Sequence, residues 1–312
     1  PMNILYLNHY AGSPRHGMEY RPYYLAREWV QAGHAVRMVA ADYSHVRARQ
    51  PEQAGSRHQE LIDGIDYHWY PTPAYSGNGL GRVKNIWSFL RQVWRDAGEI
   101  ARTFRPDIVI ASSTYPMDIW VAYRIVKLAR QQGVASRLVF EVHDLWPLSP
   151  IELGGMSPSH PFIRLCQAAE DYAYRHADVV VSMLPKVAGH MQQHGLDLHK
   201  LHIVPNGITL DEWQGEPPPL RDDVAAHMRA CKQAGLQLVG YAGSHGTPNA
   251  LEVMLQAASL LRDEPFAFVL VGDGHEKANL QAQAQQLGLE KVAFFDPIPK
   301  AQIPSFLAVA DI

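Results

Sequence analysis

Residues 266–275 read FAFVLVGDGH, six apolar residues that lead directly into a glycine-rich turn. A short, continuous apolar run rich in Val and Phe predicts a strand buried on both faces of a parallel sheet. A helical pattern follows at residues 276–287. Residues 237–247 repeat the design as QLVGYAGSHGT, and a helical pattern follows at 249–262. This alternation of strand, turn and helix predicts a parallel sheet covered by helices.

The alternation continues across the chain and predicts two Rossmann-like α/β domains, because 312 residues exceed one typical core. Strands are predicted at residues 3–8, 36–40, 67–70, 107–111, 137–142, 179–182, 201–204, 237–242, 266–271 and 292–295. Helices are predicted at 20–32, 82–104, 117–132, 161–176, 186–193, 249–262, 276–287 and 300–309. Residues 41–65 are predicted to form a long polar connection.

The stretch after residue 205 contains Gly and a run of three prolines, which predicts an interdomain connection. The expected domains are therefore residues 1–205 and 206–312. Residues 310–312 resemble the opening of one more strand. A doubly wound sheet normally has further strands at this point, so the second domain is expected to be incomplete.

The composition is that of an ordinary globular protein, with 47% hydrophobic and 19% charged residues. The formal net charge of -3, from 28 basic and 31 acidic residues, argues against a nucleic-acid partner. Cys166 and Cys231 have no metal-ligand spacing around them, which predicts reduced thiols in a cytoplasmic protein. No apolar run reaches the roughly 18 residues that a membrane span requires.

One predicted helix has features of a helix that lies on a membrane surface. The 82–104 pattern puts apolar residues on one stripe at helical spacing, and this stripe includes Trp87 and Trp94. Basic residues flank the two tryptophans, as in helices that lie on anionic lipid. The competing interpretation, which the pattern favours, is a helix packed on the sheet with its charges in solvent. Peripheral attachment to the inner face of the cell membrane remains an alternative.

In a doubly wound sheet, ligands bind at the carboxyl ends of the strands. His143 and Asp144 directly follow the predicted 137–142 strand, where an ionisable pair is well placed for catalysis. The loop at residues 12–17 follows the first strand and leads to a helix N-terminus, which favours anions. Candidate site residues near these strand ends are Gly12, Ser13, Arg15, His16, Ser113 and Tyr115, and Asn206 is a further candidate at the predicted domain crossing.

The two glycine-rich turns of the second domain predict a phosphate site. Glycines allow a phosphate to approach the backbone, and the following helix N-terminus supplies N–H donors. The candidate phosphate-binding residues here are Gly243, Ser244, His245, Gly272, Asp273 and Gly274. No Asp-x-Asp pair follows a strand, so no metal or other cofactor is expected at the diphosphate.

These residues in this order resemble glycosyltransferase family 4, whose members have the GT-B fold of two facing Rossmann-like domains. The resemblance rests on the Gly12 loop, the His143-Asp144 pair, Val204-Pro205-Asn206-Gly207-Ile208, Gly243 and Val271-Gly272-Asp273-Gly274. Residues 16–28 resemble a bacterial surface-polysaccharide subgroup labelled N-acetylfucosaminyltransferase-like. The family implies retaining, metal-independent transfer from a nucleotide sugar, with UDP expected, to a glycan or polyprenyl-linked acceptor in O-antigen or capsule synthesis.

By the same resemblance, Gly243 and the 272–274 turn hold the diphosphate, the Gly12 loop approaches the donor, and His143 lies beside the transferred sugar. The resemblance then places Gly12, Ser13, Asn206 and the candidates of the two glycine turns on the donor side, and it places Arg15, His16, Ser113 and Tyr115 on the acceptor side. Two departures matter. Ser244 and Asn249 stand where many members have Arg and Lys, and the family's pair of glutamates spaced eight apart would follow residue 312. This chain is therefore expected to bind donor poorly or to be inactive as it stands.

Two alternatives stay open. One is a nucleotide-sugar 2-epimerase on the same fold, and the other is a non-catalytic, truncated fragment. A nicotinamide dehydrogenase is disfavoured, because neither domain has the dinucleotide glycine spacing.

Overall fold

The computed structural model describes residues 1–17, 20–77 and 79–312 of the chain. Two units separate in it, Pro1–Gly207 and Ile208–Ile312, so the division falls after Gly207 where the sequence predicts it after residue 205. Both units are α/β with parallel sheets, as the alternation predicts. Met18 and Glu19, which belong to the stretch that resembles the N-acetylfucosaminyltransferase-like subgroup, lie outside the described residues.

The first unit is built on an eight-stranded sheet in the order β3-β4-β2-β1-β5-β6-β7-β8. Its strands are β1 (Asn3–Leu7), β2 (Ala35–Ala41), β3 (His58–Ile62), β4 (Ile65–Tyr70), β5 (Ile108–Ala111), β6 (Arg137–Val142), β7 (Val179–Ser182) and β8 (Leu201–Ile203). Its helices are α1 (Tyr20–Gln31), α2 (Leu80–Thr103), α3 (Asp118–Gln131), α4 (Leu148–Glu152), α5 (Pro161–His176) and α6 (Ala188–Gln193). Within the described residues, every pairing is parallel except that of β3 with β4.

Strand β1 shows how both faces of this sheet become buried. Successive side chains of a strand point to opposite faces. Leu5 and Leu7 accordingly pack with α2, α3, α5 and α6, whereas Ile4 and Tyr6 pack with α1. All four side chains are almost inaccessible to solvent. The sheet is therefore a central layer between two layers of helices, and its chemistry is confined to the strand ends.

The antiparallel hairpin of β3 and β4 is a feature that the sequence reasoning missed. Strand β3 lies inside the stretch interpreted as a polar connection, whereas β4 was predicted at residues 67–70 and begins slightly earlier, at Ile65. The strands are joined by Asp63 and Gly64, which have φ angles of 49° and 82°. Asp-Gly is a strong two-residue hairpin signal because both turn positions need positive φ. That dipeptide was available in the sequence as evidence for the hairpin.

Helix α2 packs its apolar stripe against the core of the first unit. Ile86, Leu90 and Val93 of the stripe are buried in the core, which confirms the interpretation of a helix packed on the sheet. Trp87 and Trp94 lie at the border of the stripe and are 46% and 43% exposed. The Arg124 guanidinium lies 4.6 Å from the centre of the Trp94 ring. Among the described residues, no helix combines the length and hydropathy needed to cross a membrane.

The second unit contains a three-stranded parallel sheet in the order β11-β10-β9. Its strands are β9 (Gln237–Ala242), β10 (Phe266–Val271) and β11 (Val292–Phe295), and its helices are α7 (Asp211–Gln214), α8 (Asp222–Gln233), α9 (Glu252–Leu260), α10 (Lys277–Gln286) and α11 (Ile303–Val309). Helices α9 and α10 cover one face of the sheet, and α8 and α11 cover the other. Helix α8 was not predicted from the sequence.

The segment after α11 runs beside β9. The Gly240 N–H donates to the Ile312 carbonyl over 2.8 Å, and the Asp311 N–H donates to the Leu238 carbonyl over 2.8 Å. Residues 310–312 therefore make strand-like backbone contacts at the position where the sequence predicts the start of a strand.

Candidate functional site

A cluster of polar side chains lies at the carboxyl ends of β1, β5 and β6. Its centre is Glu141, the last residue but one of β6. His143 comes two residues later, so both side chains lie on the same face of the extended chain. Ser112, directly after β5, completes the centre of the cluster. The parallel order β1-β5-β6 is what brings these three residues to one edge.

Glu141 is the hub of the hydrogen bonds in this cluster. Its Oε1 accepts from the Tyr6 hydroxyl and, over 2.8 Å, from the Ser112 hydroxyl. The same oxygen lies 3.1 Å from His143 Nε2, and Oε2 lies 3.3 Å from Arg21 Nη2. A buried carboxylate with four partners of this kind is well satisfied and holds each of them in place.

The electrostatics of the hub keep Glu141 charged. Burial alone would raise the pKa of its carboxyl group. The hydrogen bond and charge of His143 oppose this effect, as do the charge of Arg21 and the hydroxyl of Tyr6, and the pKa falls to about 2. Glu141 is therefore an anion at neutral pH and is not available as a proton donor.

The same contacts fix the tautomer of a neutral His143. The Ser112 hydroxyl proton is directed at Glu141, so the Ser112 oxygen accepts from His143 Nε2 at 2.6 Å. Nε2 therefore carries the ring proton, and Nδ1 is left as an acceptor. Nδ1 makes no hydrogen bond within the described part of the chain, and the ring is partly exposed. His143 thus presents a basic nitrogen at the edge of the sheet.

Asp144, the second candidate catalytic residue, has a different position. Its Oδ1 accepts from the Ser149 hydroxyl, and its Oδ2 accepts from Trp146 Nε1 over 3.3 Å. These bonds fix the segment that leads into α4. The carboxylate that contacts His143 is Glu141, because residues two apart along a strand share a face and neighbouring residues do not. Within the described residues, the His143 ring is therefore held by Glu141 and Ser112 rather than by Asp144.

A second buried acid, Asp118, lies at the start of α3 near His143. Its Oδ2 accepts from the Ser113 N–H over 3.0 Å, and its Oδ1 has no hydrogen-bond partner within the described residues. Burial raises the pKa of Asp118 to about 7, against the opposing effect of its backbone hydrogen bonds. Sequence reasoning did not single out this residue.

Asp118→Asn is expected to make the protein more stable than the wild type at high pH, with an advantage that shrinks as pH falls. The raised folded pKa means that the wild type loses stability as pH rises from about 4 to about 7. The slope approaches about 1.4 kcal/mol per pH unit. Urea unfolding at about pH 5 and about pH 8 measures the effect, with exposed Asp222→Asn as the control. An advantage that is independent of pH would contradict a buried neutral acid.

The loop after β1 is more enclosed than the sequence suggests. Ser13 and His16 are both buried, and Ser13 Oγ lies 2.8 Å from His16 Nδ1. The Gly12 carbonyl accepts from the Tyr67 hydroxyl over 2.8 Å. Pro14 and Arg15 are exposed, and Arg15 lies 3.7 Å from Glu60. Within the first unit, Ser13 and His16 therefore hold the loop, and Arg15 is a charged side chain of the loop that remains accessible.

The two candidate acceptor-side residues after β5 are buried as well. Tyr115 is fully inaccessible, and its hydroxyl lies 2.7 Å from His9 Nδ1. Ser113 Oγ accepts from the His9 N–H over 3.0 Å. Burial lowers the pKa of His9 to about 3, so this histidine is neutral. The position of Tyr115 corrects the expectation of direct acceptor contact, because a hydroxyl enclosed by the core offers no surface to a glycan.

Asn206 and Arg21 connect the end of the first unit to the Glu141 cluster. Arg21 Nη1 donates to Asn206 Oδ1, and Nη2 donates to the Val204 carbonyl, each over 2.9 Å. Nη2 also contacts Glu141, as described above. Arg21 therefore bridges α1, β6 and the segment after β8. The sequence gives no local signal for this bridge, because its partners are far apart along the chain.

In the second unit, the two glycine-rich turns interlock. The Gly243 N–H donates to the Val271 carbonyl over 3.0 Å, and the His245 N–H donates to the Asp273 carbonyl over 2.9 Å. A Cβ atom on Gly272 would lie 1.8 Å from the Gly243 carbonyl oxygen, and the φ of Gly272 is +150°. Glycine is required here because the turns lie against each other. The N–H groups of Gly243 and His245 are used to hold that contact.

The rim and the interior of these turns differ in polarity. Gly243, Ser244 and Asp273 are exposed, whereas His245 is fully buried. Both ring nitrogens of His245 are without a partner within the described residues. Burial and the nearby Lys277 charge lower the pKa of His245. The expectation that His245 neutralises a diphosphate is therefore disfavoured, because its ring is neutral and enclosed.

The cation at the turns is Lys277, the first residue of α10. Its Nζ donates to the Gly272 carbonyl over 2.9 Å and lies 2.7 Å from Asp296 Oδ1. Gly274 is also held closely, since a Cβ atom there would lie 2.5 Å from the His245 carbonyl oxygen. The positive charge missing at residues 244 and 249 is thus supplied three residues after the second turn. A lysine at a helix start immediately after a Gly-x-Gly turn was the available signal.

Two family models match this chain. A glycosyl transferase 4-like domain matches residues 16–207, and a glycosyl transferases group 1 domain matches residues 232–312. WcaI of Escherichia coli (strain K12), named as a colanic acid biosynthesis glycosyl transferase, is 24% identical over 288 residues, covering 91% of this chain and 69% of WcaI. WbjE of Pseudomonas aeruginosa, named as a probable glycosyltransferase, is 23% identical over 265 residues, covering 84% of this chain and 63% of WbjE.

A solved structure with a similar fold comes from Anabaena. The crystal structure of HepE in complex with UDP and glucose matches with a TM-score of 0.62 at 18% identity. The match covers 100% of this chain and 73% of HepE. A likeness at this identity shows the fold. The chain spans between 63% and 73% of the lengths of these three proteins.

Proposed function

The chain belongs to the glycosyl transferase 4-like family and is a glycosyltransferase of the GT-B type, and we propose that its donor is a UDP-linked sugar. The proposed acceptor is a glycan or a polyprenyl-linked sugar in the synthesis of a bacterial surface polysaccharide. The names of WcaI and the HepE complex with UDP and glucose support this choice. The observation that carries it is the pair of interlocked glycine turns with Lys277.

In the proposed reaction, the diphosphate binds at the exposed rim of those turns. The acceptor hydroxyl oxygen forms a bond to the anomeric carbon while the bond from that carbon to the diphosphate breaks. The hydroxyl proton passes to a base such as His143, and negative charge develops on the departing oxygen. Lys277 and the N-terminus of α10 supply positive potential where that charge grows, which stabilises the transition state. We propose that this arrangement makes a divalent metal at the diphosphate unnecessary.

Lys277 is proposed to act as a positioning residue. Its Nζ contacts two carbonyls, those of Gly272 and Phe295, as well as Asp296. It therefore acts on a diphosphate through the shape of the turn and through its charge.

Lys277→Met is expected to weaken UDP binding by roughly tenfold, which corresponds to about 1.4 kcal/mol. Lys277→Arg retains the charge and is expected to recover part of the affinity. Calorimetric titration with UDP measures both variants, and thermal unfolding is recorded in parallel. A lower melting temperature with unchanged UDP affinity would mean that Lys277 supports only the fold.

His143 of the first unit is proposed to act on the sugars. Its Nδ1 is an acceptor, and Glu141 and Ser112 fix the ring through Nε2. A hydroxyl of the transferred sugar or of the acceptor can donate to Nδ1, which orients that hydroxyl and can accept its proton. Retention of the anomeric configuration is proposed from the resemblance to family 4. The anomeric coupling in the product's NMR spectrum decides that point.

Product analysis tests the proposed function. The protein is incubated with a panel of UDP sugars, with and without glycan and polyprenyl-linked acceptors. The expected result is UDP release and an acceptor that gains the mass of one sugar, with no stimulation by added Mg²⁺ or Mn²⁺. A free epimer formed without any acceptor would favour the 2-epimerase alternative. UDP binding without turnover across the panel would favour the non-catalytic fragment.

A further inference from the structure

A cluster of metal-ligating side chains lies in the first unit, on helices that the proposed transfer does not use. Helix α6 begins at Ala188 and carries His190, and His194 is its C-terminal capping residue. These histidines are four residues apart and therefore lie on one helical face. Helix α5 supplies Glu170 and Asp171, which lie against that face. We propose that Glu170, His190 and His194 form a site for one divalent ion of the Zn²⁺ type.

The distances between the ligand atoms fit such an ion. His190 Nε2 lies 3.1 Å from Glu170 Oε2, and His194 Nδ1 lies 3.9 Å from Glu170 Oε1. One ligand atom from each of the three residues can be chosen so that all lie within 4.8 Å of one another. Tetrahedral Zn²⁺ with bonds of about 2.0–2.1 Å requires ligand atoms roughly 3.3 Å apart. Small side-chain movements would bring these ligand atoms to the distances that a coordinated ion requires.

The amide of Gln167 shows that this space favours a cation. Its Nε2 lies 2.9 Å from Glu170 Oε1, 2.8 Å from Asp171 Oδ1 and 2.8 Å from His194 Nδ1. Two carboxylate oxygens and one ring nitrogen, all of them possible metal ligands, therefore surround one point. A divalent ion would satisfy them together, with Asp171 as a further oxygen ligand and Gln167 displaced to the edge.

The charges of the cluster also favour a bound cation. The Glu170 side chain is only 2% exposed, and a buried carboxylate needs a positive partner. The ion pairs of Glu170 and Asp171 within the described residues are those with His190 and His194. A divalent ion bound at this cluster would supply the positive charge that the buried carboxylate needs. Imidazole with carboxylate is a ligand set that Zn²⁺ commonly takes.

The groups around the cluster already orient its carboxylate, as they do around metal sites in proteins. The Tyr174 hydroxyl, which is buried, donates to Glu170 Oε2 over 3.2 Å. Hydrogen bonds of this kind orient a ligating carboxylate and hold it in place. The ion would join α5 to α6, a helix of six residues that has little stability of its own. The role assigned to the metal is therefore structural and separate from sugar transfer.

The test is a Zn²⁺ titration of the full chain after removal of metals with a chelator. A chromophoric chelator competes for the ion, and elemental analysis gives the stoichiometry. The wild type is expected to bind one Zn²⁺ per chain and to unfold at a higher temperature when Zn²⁺ is present. X-ray absorption is expected to show nitrogen and oxygen ligands without sulfur, which separates this site from Cys166 and Cys231.

The His190→Gln/His194→Gln double variant is expected to bind Zn²⁺ at least about 10- to 100-fold more weakly than the wild type. That range is the cost of losing a group that only hydrogen-bonds to a metal ligand, and here two ligands themselves are lost. Its melting temperature is expected to be insensitive to Zn²⁺. His199→Gln, at an exposed position shortly after α6, is the matched control and is expected to behave as the wild type. Glu170→Gln keeps the shape of the side chain and tests the carboxylate. Zn²⁺ affinity that is equal in wild type and both ligand variants, or no stoichiometric binding at all, would overturn the proposal.

Discussion

Gly272→Ala is expected to abolish detectable UDP binding and to lower stability by more than about 3 kcal/mol, since backbone strain adds to a steric clash. The new Cβ atom would lie 1.8 Å from the Gly243 carbonyl oxygen, and a φ of +150° is unfavourable for any L residue. The steric clash and the backbone strain can be relieved only if the two turns separate. That separation breaks the backbone hydrogen bonds that join them and moves the rim proposed to hold the diphosphate.

Gly246→Ala is the matched control for this variant. Gly246 belongs to the other of the two interlocked turns, and a Cβ atom there would meet its nearest neighbour, Ser244 Oγ, at 3.4 Å, an ordinary contact. Near-normal stability and UDP affinity are expected. Circular dichroism and thermal unfolding establish whether Gly272→Ala is folded, and titration with UDP follows. If Gly272→Ala folds and binds UDP as well as Gly246→Ala does, the interlocked turns are not the diphosphate site.

His143→Ala is expected to reduce kcat by about 10²- to 10⁴-fold, the range for a positioned acid–base group. UDP affinity is expected to change little, because His143 belongs to the first unit and the proposed diphosphate contacts belong to the second. The exposed His202 on β8 provides the control variant His202→Ala. A His143→Ala protein with normal kcat in the transfer assay would remove this residue from the chemistry.

Glu141→Gln separates positioning from catalysis within the same cluster. Gln retains the size of Glu141 and removes the charge that faces His143 and Arg21. The lowered pKa means that this carboxylate stabilises the fold above its ordinary pKa and loses that contribution as pH falls toward about 2. The stability difference between wild type and variant should therefore shrink in acid. The kcat value should also fall, since the His143 ring loses the carboxylate that holds it. An unchanged kcat would indicate a purely structural carboxylate.

The sequence predicted the sheet frameworks well because their signals are local. Apolar runs such as residues 266–271 form strands that are buried on both faces, and the ends of the run mark the ends of the strand. The β3–β4 hairpin was missed because β3 is half exposed and polar, with the pattern His-Gln-Glu-Leu-Ile. Its evidence was the Asp63-Gly64 turn, which the search for apolar periodicity passed over.

The site was only partly predictable, because its key contacts are tertiary. His143 was found from its position after a strand, but its partner Glu141 reads in sequence as one more strand residue. Arg21 has no motif that indicates its partners, and Lys277 was passed over although it stands at a helix start shortly after a Gly-x-Gly turn. His245 and Tyr115 were expected at accessible positions, and the structure buries both. Burial depends on which elements pack above a residue, and this information is not contained in the spacing of motifs.

Hydrogen exchange with and without UDP tests the central claim most directly, which is that a nucleotide diphosphate binds on the two glycine turns of the second unit. The account predicts slower exchange in peptides that cover residues 243–247 and 272–277 when UDP is added. The same peptides of Gly272→Ala should show no such change. Slower exchange confined to other segments, or no UDP-dependent change at the turns of a protein that demonstrably binds UDP, would contradict it.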